Sequence, residues 1–165
     1  MSVTATRPAT AAASTAAAPV EGPLLWFDGA LAGVGALQAD LTTHAMHYGS
    51  GVFEGIRSYA TDDGGAAVFR LPEHLERMRR GCALLGMDFD VERATQAIRT
   101  TLRANRHRDA YVRPLAWYGG GGFGLDVEGH PQHLMVSTTA TLVHLAGARA
   151  SVGVSRWRRN PADSL

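Results

Sequence analysis

Three arginines carry the strongest chemical signal in this chain: Arg57 and Arg113 fall on strand-like alternations beside aromatics, and Arg77 falls on a helix-like stretch. A guanidinium on a half-buried strand needs an anionic or aromatic partner to be tolerated, and its planar fork of donors matches a carboxylate or a phosphate. Salt bridges to Glu54 or to aspartates are the ordinary alternative, and spacing alone leaves both open. The run from His44 to Tyr59 surrounds Arg57 with three glycines, two histidines and a carboxylate, more polar and conformationally special material than a core segment needs.

Other candidate chemistry is weaker. His44 and His47, and likewise His130 and His133, are spaced to share a metal, but no carboxylate or cysteine stands at a recognised ligand spacing. Ordinary hydrogen-bonded histidines are the reading. Gly119, Gly121 and Gly124 formally satisfy G-x-G-x-x-G, yet a dinucleotide site needs a helix opening on those glycines, and Leu125 to Pro131 reads as loop. A P-loop fails for want of its lysine, and a hydrolase triad for want of G-x-S-x-G. Cys82 falls on a helix stripe and reads as core.

All sixteen basic residues are arginines. A GC-rich genome accounts for that bias, but its chemical consequence holds whatever the cause: no side-chain amine exists to form an imine with a carbonyl. Net charge +1 and a pI near 8.0 give no field suited to gathering nucleic acid or coating an anionic membrane. One cysteine and no apolar run of about eighteen residues point to a reducing, cytoplasmic setting.

Elements must position the arginines. Residues 1–23 are mostly Ala, Thr, Ser and Pro, with Arg7 and Glu21 the only charges, a composition expected to stay disordered. From Leu24 a hairpin is predicted about Asp28-Gly29, then a short helix within 36–54. A second hairpin follows, Gly55–Ala60 returning through Ala66–Arg70. Pro72 opens a helix with Leu75, Met78, Cys82 and Leu85 as its stripe, closed by Gly86; Asp90 caps another, with Val91, Ala94, Ile98 and Leu102 inward. Tyr111–Tyr118 alternates as a strand that Pro114 restricts to an edge or a bulge, with Arg113 sharing a face with Tyr111, Leu115 and Trp117. Leu134–Leu145 and Ala150–Trp157 read as two more strands. The expected fold class is α+β, a mainly antiparallel sheet with helices packed on it, over residues 24–160, with 161–165 outside that domain.

Four ordered segments, His44-Ala45-Met46-His47-Tyr48-Gly49, Val52-Phe53-Glu54-Gly55-Ile56-Arg57, Glu73-His74-Leu75-Glu76-Arg77 and Ala110-Tyr111-Val112-Arg113-Pro114-Leu115, closely resemble the N-terminal half of branched-chain amino-acid aminotransferases. These are class IV (fold type IV) enzymes dependent on pyridoxal 5′-phosphate. The resemblance implies that Arg77 holds the cofactor phosphate. It implies that Tyr48, Phe53, Arg57 and Arg113 line a substrate pocket, the arginines and tyrosine receiving the side-chain carboxylate of glutamate and Phe53 helping to wall in Leu, Ile or Val. Amino-acid and 2-oxo-acid substrates and a homodimer come with it. The segment Thr138–Leu145 departs from the aromatic-rich Pro-Trp-Gly stretch of the family, which keeps D-amino-acid aminotransferases and aminodeoxychorismate lyases open. Trp157-Arg158-Arg159-Asn160-Pro161 resembles the approach to the catalytic lysine, which lies beyond Leu165. The expectation is therefore an N-terminal portion without activity of its own, and a stand-alone binding or dimerisation module is the other class.

Overall fold

The computed structural model describes residues 22–140 and 151–158. Asp28 and Gly29 both take positive φ, 47° and 124°. That backbone reverses the chain with the right-handed twist of the flanking strands, so β1 (Leu24–Phe27) and β2 (Ala30–Gly33) form the predicted hairpin with Phe27 opposite Ala30. The helix expected within 36–54 is a single turn and a half, α1 (His44–Tyr48), because Gly49 takes φ 69° and donates back to Ala45 O. Strand β3 (Gly51–Phe53) starts two residues later.

The second hairpin pairs β4 (Ile56–Ala60) with β5 (Ala66–Val68). In its turn Asp63 accepts from Thr61 Oγ1 and from the Gly65 amide. The return strand stops at Val68 rather than Arg70, because Arg70 adopts φ 47° and serves as the N-cap of α2 (Leu71–Leu84). Asp90 caps α3 (Val91–Ala104), accepting the Arg93 amide at 3.0 Å. Leu75, Met78 and Cys82 are buried as the period requires, and burial pushes the Cys82 thiol up to about 11. Leu85 leaves the stripe: it lies past the end of α2, where the chain turns at Gly86, and it is 37% exposed.

All pairings are antiparallel, in the order β2-β1-β7-β6-β4-β5, with β3 also on β6 (Ala110–Tyr118) and β7 (Gln132–Ala140) at the centre. Pro114 therefore sits in an interior strand, not at an edge or a bulge. The register explains why. Phe53 faces Leu115 and Ile56 faces Val112, so β3 and β4 continue one line through Glu54 and Gly55 with no inserted residue. Pro114 O accepts the Glu54 amide at 3.1 Å, so its nitrogen faces the same way and the missing N–H falls where β3 and β4 are parted. The ladder from β6 to β7 runs unbroken past it.

Helix α3 lies over β1 and β7, α2 over β3, and the two helices pack on each other, all on one face of the sheet. That layer encloses a core of Ile56, Leu75, Met78, Ile98, Val112 and Val136, none with measurable exposure. Each such side chain contributes about 1.5–3 kcal/mol on burial, more than the helix caps do. β6 alternates between buried and half-buried along its whole length, with Tyr111, Arg113, Leu115 and Trp117 on the face away from the helices, as the sequence pattern predicts.

The strand expected to run to Leu145 ends at Ala140, and 141–150 lie outside the described residues, as does the tail 1–21. Residues 151–158 form no strand. Val152, Val154 and Trp157 are all more than four-fifths exposed, because alternation makes a strand only where a neighbouring ladder or face receives it.

Candidate active site

Even-numbered residues of the line 51–60 face the helix layer and odd-numbered ones the open face, which divides the candidate residues cleanly. Phe53 and Arg57 stand on the open face beside Tyr111 and Arg113 of β6, because Phe53 is opposite Leu115 and Arg57 opposite Tyr111. The Arg113 guanidinium lies 4.4 Å above the Phe53 ring centre and donates from both Nε (3.0 Å) and Nη2 (2.5 Å) to Tyr111 Oη. Arg57 lies 5.9 Å from the Tyr59 ring. Among the described residues no carboxylate is within ion-pair distance of Arg57 or Arg113, so the salt-bridge alternative does not describe either.

Glu54 instead points into the helix layer. Its carboxylate, 5% exposed, is gripped by Arg77 through Nε and by Arg77 Nη2 at 2.7 Å, and His74 Nδ1 donates to it at 3.0 Å. Arg77 is itself 68% exposed and its Nη1 makes no hydrogen bond among the described residues, so one edge of the guanidinium is fixed and the other is open. Among the described residues no strand pairs beyond β3 and Glu54-Gly55, so Arg77 borders this open sheet edge from one side while Phe53, Arg57 and Arg113 border it from the other. A Cβ at Gly55 would come within 2.7 Å of Tyr111 Oη, so any larger residue there has to displace the Tyr111 ring end.

Tyr48 comes from a different element than the arginines. It ends α1, its hydroxyl accepts the Gly124 amide at 3.1 Å, and its ring centre lies 4.5 Å from that of His44 at a 44° tilt. His44 is buried, with Nδ1 2.6 Å from Ser50 Oγ and Nε2 donating to Gly124 O, so α1 and the glycine-rich loop brace each other. His47 bonds Leu41 O, His130 bonds Gly119 O, and His133, near the start of β7, bonds Asp28. Residues 119–131 open no helix, as the sequence reading has it.

The sequence reading missed Tyr111 as a site residue, although its place two residues before Arg113 on a strand puts both on one face. For Arg77 the salt bridge to Glu54 that the sequence left open is the one formed, and what the sequence did not show is that His74, three residues earlier on the same side of α2, converges on the same carboxylate.

Burial alone would raise the Glu54 carboxyl, but hydrogen bonds and charge from Arg77 and His74 outweigh it and hold it below the usual glutamate value of 4.5. A depressed folded pKa means stability that is fully present above the unfolded value and is lost as pH falls through the folded one. Urea midpoints measured downward from pH 7 should therefore fall more steeply for the parent chain than for Glu54→Gln, the gap between the two curves closing below about pH 4.5. Parallel curves would remove this ion pair from the acid response.

The family model described as Amino-transferase class IV matches residues 51–165. The chain belongs to that family. Among curated class IV relatives, the Pseudomonas aeruginosa branched-chain-amino-acid aminotransferase is 35% identical over 116 residues, covering 69% of this chain and 38% of that protein. The Escherichia coli branched-chain-amino-acid aminotransferase is 29% identical over 148 residues, 86% of this chain and 48% of the relative. The chain thus spans under half the length of these curated relatives. Among solved structures, a branched-chain amino acid aminotransferase complexed with N-(5′-phosphopyridoxyl)-L-glutamate superposes with TM-score 0.69 at 36% identity, over 74% of this chain and 42% of that one. The Escherichia coli structure superposes with TM-score 0.77 at 28% identity, over 88% and 50%. The antiparallel sheet with helices on one face is a class IV aminotransferase architecture, in keeping with the α+β expectation. No helix among the described residues is long and apolar enough to cross a membrane.

Proposed function

We propose that this chain supplies the N-terminal portion of a branched-chain amino-acid aminotransferase that uses pyridoxal 5′-phosphate and passes amino groups between Leu, Ile or Val and 2-oxoglutarate. The observation that carries the reading is the meeting of Arg113, Arg57, Tyr111 and Phe53 on one open sheet face: two cations beside aromatic walls, a surface able to take either an acidic or an apolar side chain. The solved relative with bound phosphopyridoxyl-glutamate supports both the cofactor and the acidic substrate.

The residues present fit the phosphate end of that cofactor. Arg77 offers an open guanidinium edge whose direction is set by a buried carboxylate, the pre-organised fork that an oxyanion needs. The aldehyde end has no amine among the side chains of this lysine-free chain. When bound, the cofactor supplies an electron-withdrawing ring that stabilises charge at Cα of the amino acid. Arg113, steadied by Tyr111 and Phe53, holds the substrate carboxylate together with Arg57, and Phe53 excludes water from an aliphatic side chain. Tyr48 borders the pocket from the glycine-rich loop that Gly124 anchors to it.

A chimera that continues this chain from Asn160 with the matching remainder of the Pseudomonas aeruginosa relative tests the reading. Leucine with 2-oxoglutarate should turn over in proportion to added pyridoxal 5′-phosphate. A soluble, cofactor-loaded chimera that acts on D-alanine or on aminodeoxychorismate, and not on leucine, would overturn the substrate assignment.

A further inference from the structure

Away from the open face, a groove of about 970 Å³ runs along α3 from Val91 to Arg103 and on to Arg108, bounded by the first turn of α2 and the β4–β5 hairpin. Its floor is apolar, built from Val68, Leu71, Pro72, Val91 and Leu102. Its rim carries Arg99, Arg103, Arg106 and Arg108, with His107 beside them, and no carboxylate lines it. None of the four arginines makes an ion pair among the described residues. Arg108 donates to Gly64 O at a long 3.4 Å.

A chain of net charge +1 has little reason to gather a quarter of its sixteen cations around one apolar trough. Like charges repel, and an anion seated among them relieves that cost. The helix C-terminus favours Arg103, in the last turn of α3, but gives no account of Arg106 and Arg108 beyond it. A second, independent feature points the same way. Helix α2 begins in this groove, and its N-cap Arg70 makes no side-chain cap bond, so the first-turn N–H groups keep no side-chain acceptor.

We propose that this groove binds a phosphorylated small molecule with an apolar or aromatic body, its phosphates held by the four arginines and the first turn of α2 and its body on the Val68 to Leu102 floor. A single carboxylate would satisfy one fork; four forks and an uncapped helix start match two or more phosphates. The volume suits a drug-sized ligand. The proposal does not rest on the roles given to Arg57, Arg77 or Arg113.

Isothermal titration of the 165-residue chain with ADP, pyrophosphate and adenosine, at low salt and without pyridoxal 5′-phosphate, tests it. ADP should bind one to one, pyrophosphate more weakly, and adenosine without measurable heat. The double variant Arg99→Gln/Arg103→Gln should weaken ADP binding about tenfold or more, since each fork makes charge-assisted bonds. Arg79→Gln/Arg80→Gln removes equal charge from the exposed side of α2 and should leave binding within about twofold of the parent. Circular dichroism melts report folding for each variant, and Arg103→Gln alone gives the same readout should the double variant melt early. No binding of ADP, equal weakening by both double variants, or pyrophosphate binding as tightly as ADP would each overturn the proposal. So would an RNA oligonucleotide that binds through these arginines while ADP does not.

Discussion

Mixed with pyridoxal 5′-phosphate, leucine and 2-oxoglutarate, the 165-residue chain is expected to form no 4-methyl-2-oxopentanoate above the rate of free cofactor. Transamination on this cofactor needs an amine that captures its aldehyde and then moves the Cα proton, and no residue of this chain carries a side-chain amine. General acid–base help of that kind is worth about 10² to 10⁴ in rate. The histidines among the described residues do not substitute at the open face by the geometry observed: His44, His47, His74, His107, His130 and His133 are each bonded within the protein. Borohydride reduction followed by peptide mapping should find a pyridoxyl group on the N-terminal amine at most. Sustained conversion, or a reduced adduct on any side chain, would show that this chain holds a base and an electrophile site that its residues do not suggest.

In the chimera, Arg113→Ala should cut kcat/KM for glutamate about 10- to 150-fold more than for leucine, the equivalent of roughly 1.5 to 3 kcal/mol for charge-assisted bonds that only the acidic side chain makes. Some loss for leucine is expected too, because the guanidinium lies over Phe53 and its removal frees that ring. Tyr111→Phe separates the two effects. It deletes the hydroxyl that fixes Arg113 while leaving the charge, so it should show the same preference at a smaller size, about 0.5–1.5 kcal/mol. Equal losses for both substrates in Arg113→Ala would mean that Arg113 shapes the face without reading the carboxylate.

What could be read from the sequence was local. Asp28-Gly29 demands a backbone that few residues adopt, Asp90 answers an amide three residues on, and the strict alternation of β6 assigns Arg113 its face before any contact is known. What could not be read depended on neighbours distant in the chain. Pro114 looks like an edge residue until Glu54 and Gly55 are seen to pass beside it. Arg77 meets Glu54, 23 residues earlier, only because α2 crosses behind β3. Val152 and Val154 alternate as convincingly as any strand, yet no ladder receives them among the described residues. For the site, strand and helix patterns singled out Arg57, Arg77 and Arg113, and motif resemblance added Phe53 and Tyr48 and gave Arg77 the cofactor phosphate; Arg57, Phe53 and Arg113 stand on the open face, Tyr48 ends α1 beside the glycine-rich loop, and Arg77 stands on α2.

The parted line beside Pro114 also decides where backbone, rather than side chain, can meet a ligand. Amides of even-numbered residues there turn inward to β6, as that of Glu54 does. Those of Phe53 and Gly55 turn outward to an edge that no strand covers among the described residues. The border between Arg77 and Arg113 is thus lined by two main-chain donors as well as by guanidinium groups. Main-chain donors carry no titrating proton and cannot be deleted by changing a side chain. An anion laid across this edge would keep those two hydrogen bonds when either arginine is replaced, which sets a floor beneath the affinity that substitution alone can remove.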